Sequence, residues 1–333
     1  FYMQKITNTN PELHEKPNID FYKNNIHVVF ATWPDEYNCE INYIKSIDNG
    51  KNWSELTNLT NNISKAMDPD IAVNKNMVHV VWKDYRNEYP EIYYKRSFDN
   101  GKTWETARRL TFDSNRISTI YNINLLSDND YLYLVWKDYR SGSAEIFYKI
   151  SKDSGNNWSK DKRLTSDYKP SYSPSLEISN SNIYIIFEEW GNKRGCICFL
   201  KSLDFGDNWF SKTYITDNSS KGDSKHPDIF VDNKDIYVVW QDDRTNHFEI
   251  FFKKSKDYGK TWSKTIQVTS NNSSSFNPKI YSYENNVICF FSKLNEGKNN
   301  VFYKISNDYG NIWSEKKSFV KNQDCYDFDF VGK

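Results

Sequence analysis

The chain has 333 residues, with 44 Lys and Arg balancing 44 Asp and Glu, and a mean hydropathy of −0.83. The charges cancel and no Lys/Arg-rich run stands out, which excludes the electrostatic footprint of a nucleic-acid binder; no apolar stretch approaches the roughly 18 residues of a membrane-spanning helix, so no membrane insertion is expected. Aromatic residues at 17%, with only 12 Gly and 9 Pro, exclude a disordered or low-complexity chain.

The first residue is Phe, so the sequence reads as a processed form or a fragment, consistent with a removed signal peptide. "YMQKIT" (2–7) has the pattern of the end of a fourth strand. The first complete unit opens with "PNIDF" (17–21) and "IHVVF" (26–30), two short β-branched runs. The second unit repeats the plan: "PDIAV" (69–73), "VHVVW" (78–82), a polar loop "KDYRNEYP", "EIYYKRS" (91–97), a turn, and "WETARRLT" (104–111) as a fourth strand. Further first strands follow at "YNINLL" (121–126), "PSLEI" (174–178), "PDIFV" (227–231) and "PKIYS" (278–282). No helical periodicity persists anywhere. At the end, "DFDFV" (327–331) resembles the start of another first strand.

The turn before each fourth strand is one octapeptide used six times: "SIDNGKNW", "SFDNGKTW", "SKDSGNNW", "SLDFGDNW", "SKDYGKTW" and "SNDYGNIW". Its Asp falls at Asp48, Asp99, Asp153, Asp204, Asp257 and Asp308, in steps of 51, 54, 51, 53 and 51 residues. A period near 50 with four strands per unit predicts a six-bladed antiparallel β-propeller, all-β, in one domain spanning 1–333. The expected blades are 17–60, 66–111, 118–165, 173–216, 225–269 and 276–320, with the terminal strands 1–9 and 325–333 closing the ring.

The octapeptide has the chemistry of a fold-holding turn. A short Asp carboxylate accepts backbone N–H bonds a few residues ahead, and Gly takes positive φ without steric cost. The Trp residues, Trp53, Trp104, Trp158, Trp209, Trp262 and Trp313, are expected between blades. Hiding about 200 Å² of ring there is worth about 4–5 kcal/mol per blade before entropy. Six equivalent turns suit six structural jobs, not a catalytic site. The octapeptide resembles the Asp-box, or BNR repeat, of the sialidase-like propellers, over nearly the whole chain. The resemblance implies that the boxes lie on the face opposite the functional one.

The functional face then carries the loops after each second strand. Three read "WKDYR", "WKDYR" and "WQDDR", with Asp84 and Arg86, Asp138 and Arg140, Asp242 and Arg244, each followed by a Glu: Glu91, Glu145 and Glu249. Two readings stay open. The three kinds of residue can pair locally and brace the loop, or the three Arg can form an anion-binding rim for carboxylates, as in sialidases. Trp33, Tyr85, Tyr139 and Trp190 on the same loops could stack on sugar faces. Of the adjacent Glu188 and Glu189, alternation lets only one face the channel, and Glu189 joins the rim candidates. Asp68, Tyr172, His226, Asn277 and Arg116, near the start of each first strand, are expected at its mouth.

The resemblance also has a gap. The sialidase family places an Arg-Ile-Pro-type motif ahead of its first box, and no Arg precedes Arg86 here. The reading is therefore a non-catalytic, secreted or cell-surface binding module for carbohydrate, with a protein-binding scaffold and a sialidase-like exo-glycosidase as alternatives. The five cysteines, Cys39, Cys196, Cys198, Cys289 and Cys325, are read as packed thiols. No metal or cofactor is expected.

Overall fold

The computed structural model describes residues 14–320 except 62–63, 113–118, 167–168, 192–193, 217–221, 271–272 and 296–297. The terminal strands expected at 1–9 and 325–333, and Arg116 and Cys325, lie outside the described residues. The described residues form 24 strands in six four-stranded antiparallel sheets and no helix. The fold is an all-β six-bladed propeller with strands in sequential order within each blade. Blade two shows the plan: Ala66–Asn74, Met77–Asn87, Tyr89–Ser97 and Arg108–Arg109. The chain forms two compact units. One comprises the described residues up to Gly142 together with Phe147–Arg163; the other comprises Ser143–Ile146 and the described residues from Leu164 onward.

The second strands carry buried residues on both faces, and within each unit neighbouring sheets pack against one another. In Met77–Asn87, Val78, Val80 and Trp82 are 0% exposed on one face, and Val81 is 0% exposed on the other. The first set packs with Val29, Ala31, Ile41 and Tyr43 of blade one. The opposite face, with Ala72, Ile92 and Tyr94, packs with Leu125, Leu134 and Trp136 of blade three. In the second unit, Ile186, Ile197 and Phe199 pack with Ile229, Val238 and Trp240. The core is thus divided among the blade interfaces. The four described cysteines are buried.

The six boxes share one hydrogen-bond pattern. In the first, Gly50 N donates to Ser46 Oγ at 2.8 Å, Ser46 Oγ donates to Asp48 Oδ1 at 2.8 Å, and Asn52 N donates to Asp48 Oδ1 at 2.9 Å. Two residues in succession take positive φ, for example Asn100 at 60° and Gly101 at 71°. The box Trp of one blade meets an aromatic ring of the blade before it edge-on: Trp104 with Tyr43 at 5.0 Å, Trp158 with Tyr94 at 5.5 Å, Trp262 with Phe199 at 5.2 Å and Trp313 with Phe252 at 5.4 Å. These indoles are half-buried, less enclosed than the sequence suggests. The fully buried tryptophans are Trp82, Trp136 and Trp240, at the ends of second strands.

The fourth strand is much shorter than "WETARRLT" implies. Arg108–Arg109 pairs only with Tyr93 and Tyr94. A second repeated device comes directly after this strand. Thr60, Thr111, Thr165, Thr216 and Thr269 accept a bond from the backbone N–H of a residue 19 positions earlier, at 2.8–3.1 Å.

Every first strand carries a bulge near its start, and a residue there sits in the left-handed region: Lys16 (47°), Asp68 (53°), Asn122 (51°), Ser173 (47°), His226 (48°) and Asn277 (48°). The ladder shifts register at each of these places. A non-glycine residue held at such φ costs on the order of 1–2 kcal/mol.

Candidate functional site

The end of each second strand lies at the opposite edge of its sheet from the boxed turn, since the strands alternate direction. At that end, successive residues point to opposite faces. In blades two to five one of the pair is an acid, Asp84, Asp138, Glu189 or Asp242, whereas blades one and six carry Thr32 and Lys293 there. The residue before it differs from blade to blade: Lys83, Lys137, Glu188 and Gln241. In the second unit this residue reaches the neighbouring first-strand bulge. Glu188 Oε1 accepts from His226 N at 2.7 Å, and Gln241 Oε1 accepts from Asn277 N at 2.9 Å. In the first unit Lys83 pairs with Asp68 at 2.7 Å, and Lys16 pairs with the same carboxylate at 2.5 Å. Burial would raise the Asp68 carboxyl, but the two ammonium groups outweigh it and hold it below the usual carboxylate range.

Aromatic rings accompany these groups. The Lys83 and Lys137 ammonium groups lie 4.7 and 4.5 Å from the centroid of Tyr121, whose side chain is exposed. Tyr139 stands edge-on to Tyr121 at 6.3 Å, and Tyr85 lies beneath Lys83 at 5.7 Å. In the second unit, Lys225 lies over Trp190 at 4.8 Å and over Phe248 at 5.3 Å, and Phe248 meets Phe276 at 5.7 Å. Trp190 Nε1 donates to Glu188 Oε2 at 3.3 Å, so the indole and the carboxylate are one assembly.

The arginines engage the acid of their own loop. Arg86 Nε and Nη2 reach Asp84 at 3.0 and 2.6 Å, and Arg244 Nε and Nη2 reach Asp242 at 2.8 and 2.6 Å. Arg140 reaches Asp138 at 2.6 Å and also Asp161 at 2.6 Å. Each guanidinium lies over a ring of the third strand: Tyr93 at 4.1 Å, Phe147 at 5.0 Å and Phe251 at 4.6 Å. The same acids accept the indole N–H of Trp82, Trp136 and Trp240 at 2.8, 3.0 and 3.4 Å. Burial acts to raise the Asp84 and Asp242 carboxyls, and the arginine bonds outweigh it, leaving both below the usual range. The glutamates of the three loops turn to the fourth-strand end, where Glu91, Glu145 and Glu249 accept from Thr111, Thr165 and Thr269.

Other candidates divide by face. Glu189 takes the place of the loop acid and is bound by Lys212 and by Tyr214 Oη at 2.6 Å, so Glu188 is the member directed to the first strands. His226 is exposed and Asp68 is 7% exposed. Trp33 packs on the blade one/two cluster, with Lys65 5.2 Å from its ring. Lys83, Lys137, Gln241, Tyr121, Lys225, Phe248 and Phe276 are not among the residues singled out from sequence. The available signal was the residue before the loop acid, which changes while its neighbours repeat. Among the described residues, no group of three or more His, Cys, Asp and Glu is placed to hold a metal ion, and no helix is long and apolar enough to cross a membrane.

Boxed turns at one end of each sheet and a varied set of charged and aromatic side chains at the other define an Asp-box propeller. The chain belongs to the BNR repeat-like domain family, whose model matches residues 19–238. Among curated proteins, no sequence matches it. Solved structures with a similar fold include an α-L-arabinofuranosidase of Fusarium graminearum bound to arabinobiose, with a TM-score of 0.59 and 16% identity over 90% of this chain and 94% of that one. An α-L-arabinanase of Penicillium chrysogenum bound to arabinobiose gives 0.60 and 13%, over 92% and 96%. A sialidase of Trypanosoma rangeli bound to sialic acid gives 0.56 and 13%, over 89% of this chain and 54% of that one. The fold is therefore sialidase-like.

Proposed function

We propose that the protein is a carbohydrate-binding propeller that engages a glycan on the face carrying the second-strand ends. One observation carries the reading. At the position before the loop acid, the first unit has Lys83 and Lys137 and the second unit has Glu188 and Gln241, while the boxes at the other edge of the sheets stay alike. Repetition is what structural duty requires, and variation at an equivalent position is what recognition requires. In the first unit the Lys83 and Lys137 ammonium groups accompany Tyr121 and Tyr139, and in the second unit the Glu188 carboxylate and the Gln241 amide accompany the rings of Trp190 and Phe248. Apolar rings with a few convergent polar groups suit a sugar, which has a CH face and hydroxyl edges. The fold's likeness to arabinan-degrading and sialic acid-binding enzymes supports this class of ligand.

A second reading, exo-glycosidase, is favoured by Glu188, whose two oxygens are held by His226 N and Trp190 Nε1 next to a strained bulge. Strain of that kind gathers at functional sites. A carboxylate so positioned could serve as acid, base or nucleophile in glycoside chemistry.

The test is a glycan array with acidic and neutral glycans, including arabinan fragments, scored for binding and for loss of a terminal sugar. Binding that weakens at least tenfold in Lys137→Ala or Trp190→Ala supports recognition at this face. Release of a terminal sugar that stops in Glu188→Gln selects the enzyme reading. Silence on every glycan overturns both and points to a protein partner.

A further inference from the structure

Outside this face, blade four departs at two positions together where blades three, five and six agree; blades one and two each depart at one of them, with Ile44 and Glu105. The third-strand residue two positions before the box Ser is a lysine in four blades. It crosses to a backbone carbonyl beyond its own sheet: Lys95 to Leu59 O at 2.9 Å, Lys149 to Leu110 O at 2.5 Å, Lys253 to Ile215 O at 2.7 Å and Lys304 to Val268 O at 2.8 Å. In blade four the position is Leu200, which carries no donor. The residue after the box Trp is a serine in four blades, and its hydroxyl accepts from a third-strand N–H: Ser54, Ser159, Ser263 and Ser314, at 3.0–3.1 Å. In blade four it is Phe210, 52% exposed.

Both departures border one cavity, of about 410 Å³, within the second unit. Leu164, Leu200, Trp209 and Phe210 form its apolar wall; Thr165, Ser166, Ser211 and Lys212 add hydroxyls and an ammonium. The Leu164 carbonyl is the one that the missing lysine would have reached by analogy with the other blades. The volume falls at the small end of small-molecule clefts, roughly 300–1,000 Å³.

We propose that this groove is a second binding site, for a neutral sugar residue of a glycan. Two aromatic rings present a face for sugar C–H groups. The Ser166 and Ser211 hydroxyls and the Leu164 carbonyl present partners for ring hydroxyls. The ammonium lining the groove, Lys212, is already paired with Glu189, so the groove offers hydrogen bonds without an uncompensated charge. That selects a neutral sugar over an acidic one. None of the residues lining the groove belongs to the set proposed to bind at the second-strand ends, so the site does not depend on the reading given for that face.

The repeat supplies its own control. Leu200→Lys with Phe210→Ser restores what blades three, five and six carry, placing a lysine in the groove and removing one of its aromatic walls. The experiment compares wild type, this double variant and Lys137→Ala on an array of neutral and acidic glycans, with a thermal melt of each protein. The expected result is a set of neutral glycans whose bound signal falls at least tenfold in the double variant and persists in Lys137→Ala. Equal binding by wild type and the double variant overturns the proposal, as does a wild type that binds no neutral glycan. Loss in Lys137→Ala alone assigns all binding to the other face and also overturns it. If the double variant melts early, Phe210→Ser alone decides, because an exposed ring can be removed without opening the core.

Discussion

Trp82 and Trp104 stand in the same blade and do different work. Trp82 is 0% exposed, and its indole N–H is spent on Asp84. Trp104 is half-buried, edge-on to Tyr43. Trp82→Ala should therefore cost about 3–5 kcal/mol, and Trp104→Ala clearly less, in urea titrations at neutral pH. Equal losses would mean that box and strand tryptophans are interchangeable supports. His27 gives a pH prediction. It is fully buried, with Nδ1 2.6 Å from Tyr43 Oη. Burial first, then the Lys45 charge, lowers its pKa to about 4, against a small opposing bond from Asn100. The unfolded chain binds a proton near pH 6.5 that the folded protein refuses until about 4. Stability is thus full above about 6.5 and falls between 6.5 and 4, by about 3 kcal/mol for this group. His27→Gln should flatten that slope in urea midpoints measured from pH 7.5 to 4.5. An unchanged slope would remove His27 as its cause. The strand alternation that buries His27 is readable from sequence; its Tyr43 partner, 16 residues away on the next strand, is not.

At the scale of the element, the boxed turn is where sequence and structure agree most closely, because the bonds of its Ser and Asp that shape it run between residues up to four apart. The reason its glycine cannot be replaced lies beyond the turn. A Cβ on Gly101 would sit 2.0 Å from Tyr43 Oη, with φ at 71°. Gly142 has φ at 91° and nothing within 4 Å. Gly101→Ala should lower stability by about 3 kcal/mol or more, since strain and overpacking add, whereas Gly142→Ala should cost about 1 kcal/mol. Melting temperatures of the two variants check this, and similar shifts would place the cost in φ alone. The fourth strand falls short of its sequence pattern for the converse reason. Residues 104–107 are apolar and polar in a strand-like order, yet beyond the bond from Glu105 N to Arg96 O at 3.0 Å the ladder closes only at Arg108 and Arg109. The five threonines beyond the fourth strands are silent in sequence, because a lone Thr has no meaning there until its partner 19 positions earlier is known.

For the whole molecule, acid should weaken the protein in two stages. The histidine stage precedes a carboxylate stage, because the boxes hold their Asp low. The backbone N–H of Asn52, then its side chain and Ser46, keep Asp48 near about 2, and Asp99 and Asp257 are likewise depressed by the bonds of their own turns. A depressed carboxyl contributes above its unfolded value of 3.8 and loses that contribution as pH falls towards 2. Calorimetry at pH 7.5, 5 and 3 should give three descending melting temperatures. Identical values at pH 5 and 3 would show that the boxes contribute no carboxylate-linked stability.

The sequence by itself determined the blade number, the strand order within each blade and the position of the boxed turns. Each of those follows from a local signal, a short β-branched run or an octapeptide, repeated at a fixed period. The tertiary structure decided which side chains gather. Arg86, Arg140 and Arg244 read in sequence either as local braces or as one receptor; in the structure each is engaged by its own acid and laid on its own ring. Glu188 and Glu189 look alike, but strand alternation sends one to the neighbouring bulge and the other to Lys212 and Tyr214. Lys83 and Tyr121 meet across 38 residues, and Glu188 meets His226 N across the same separation. Contacts between blades have no counterpart in local pattern, because the period that makes the repeat visible also hides which departures from it face one another.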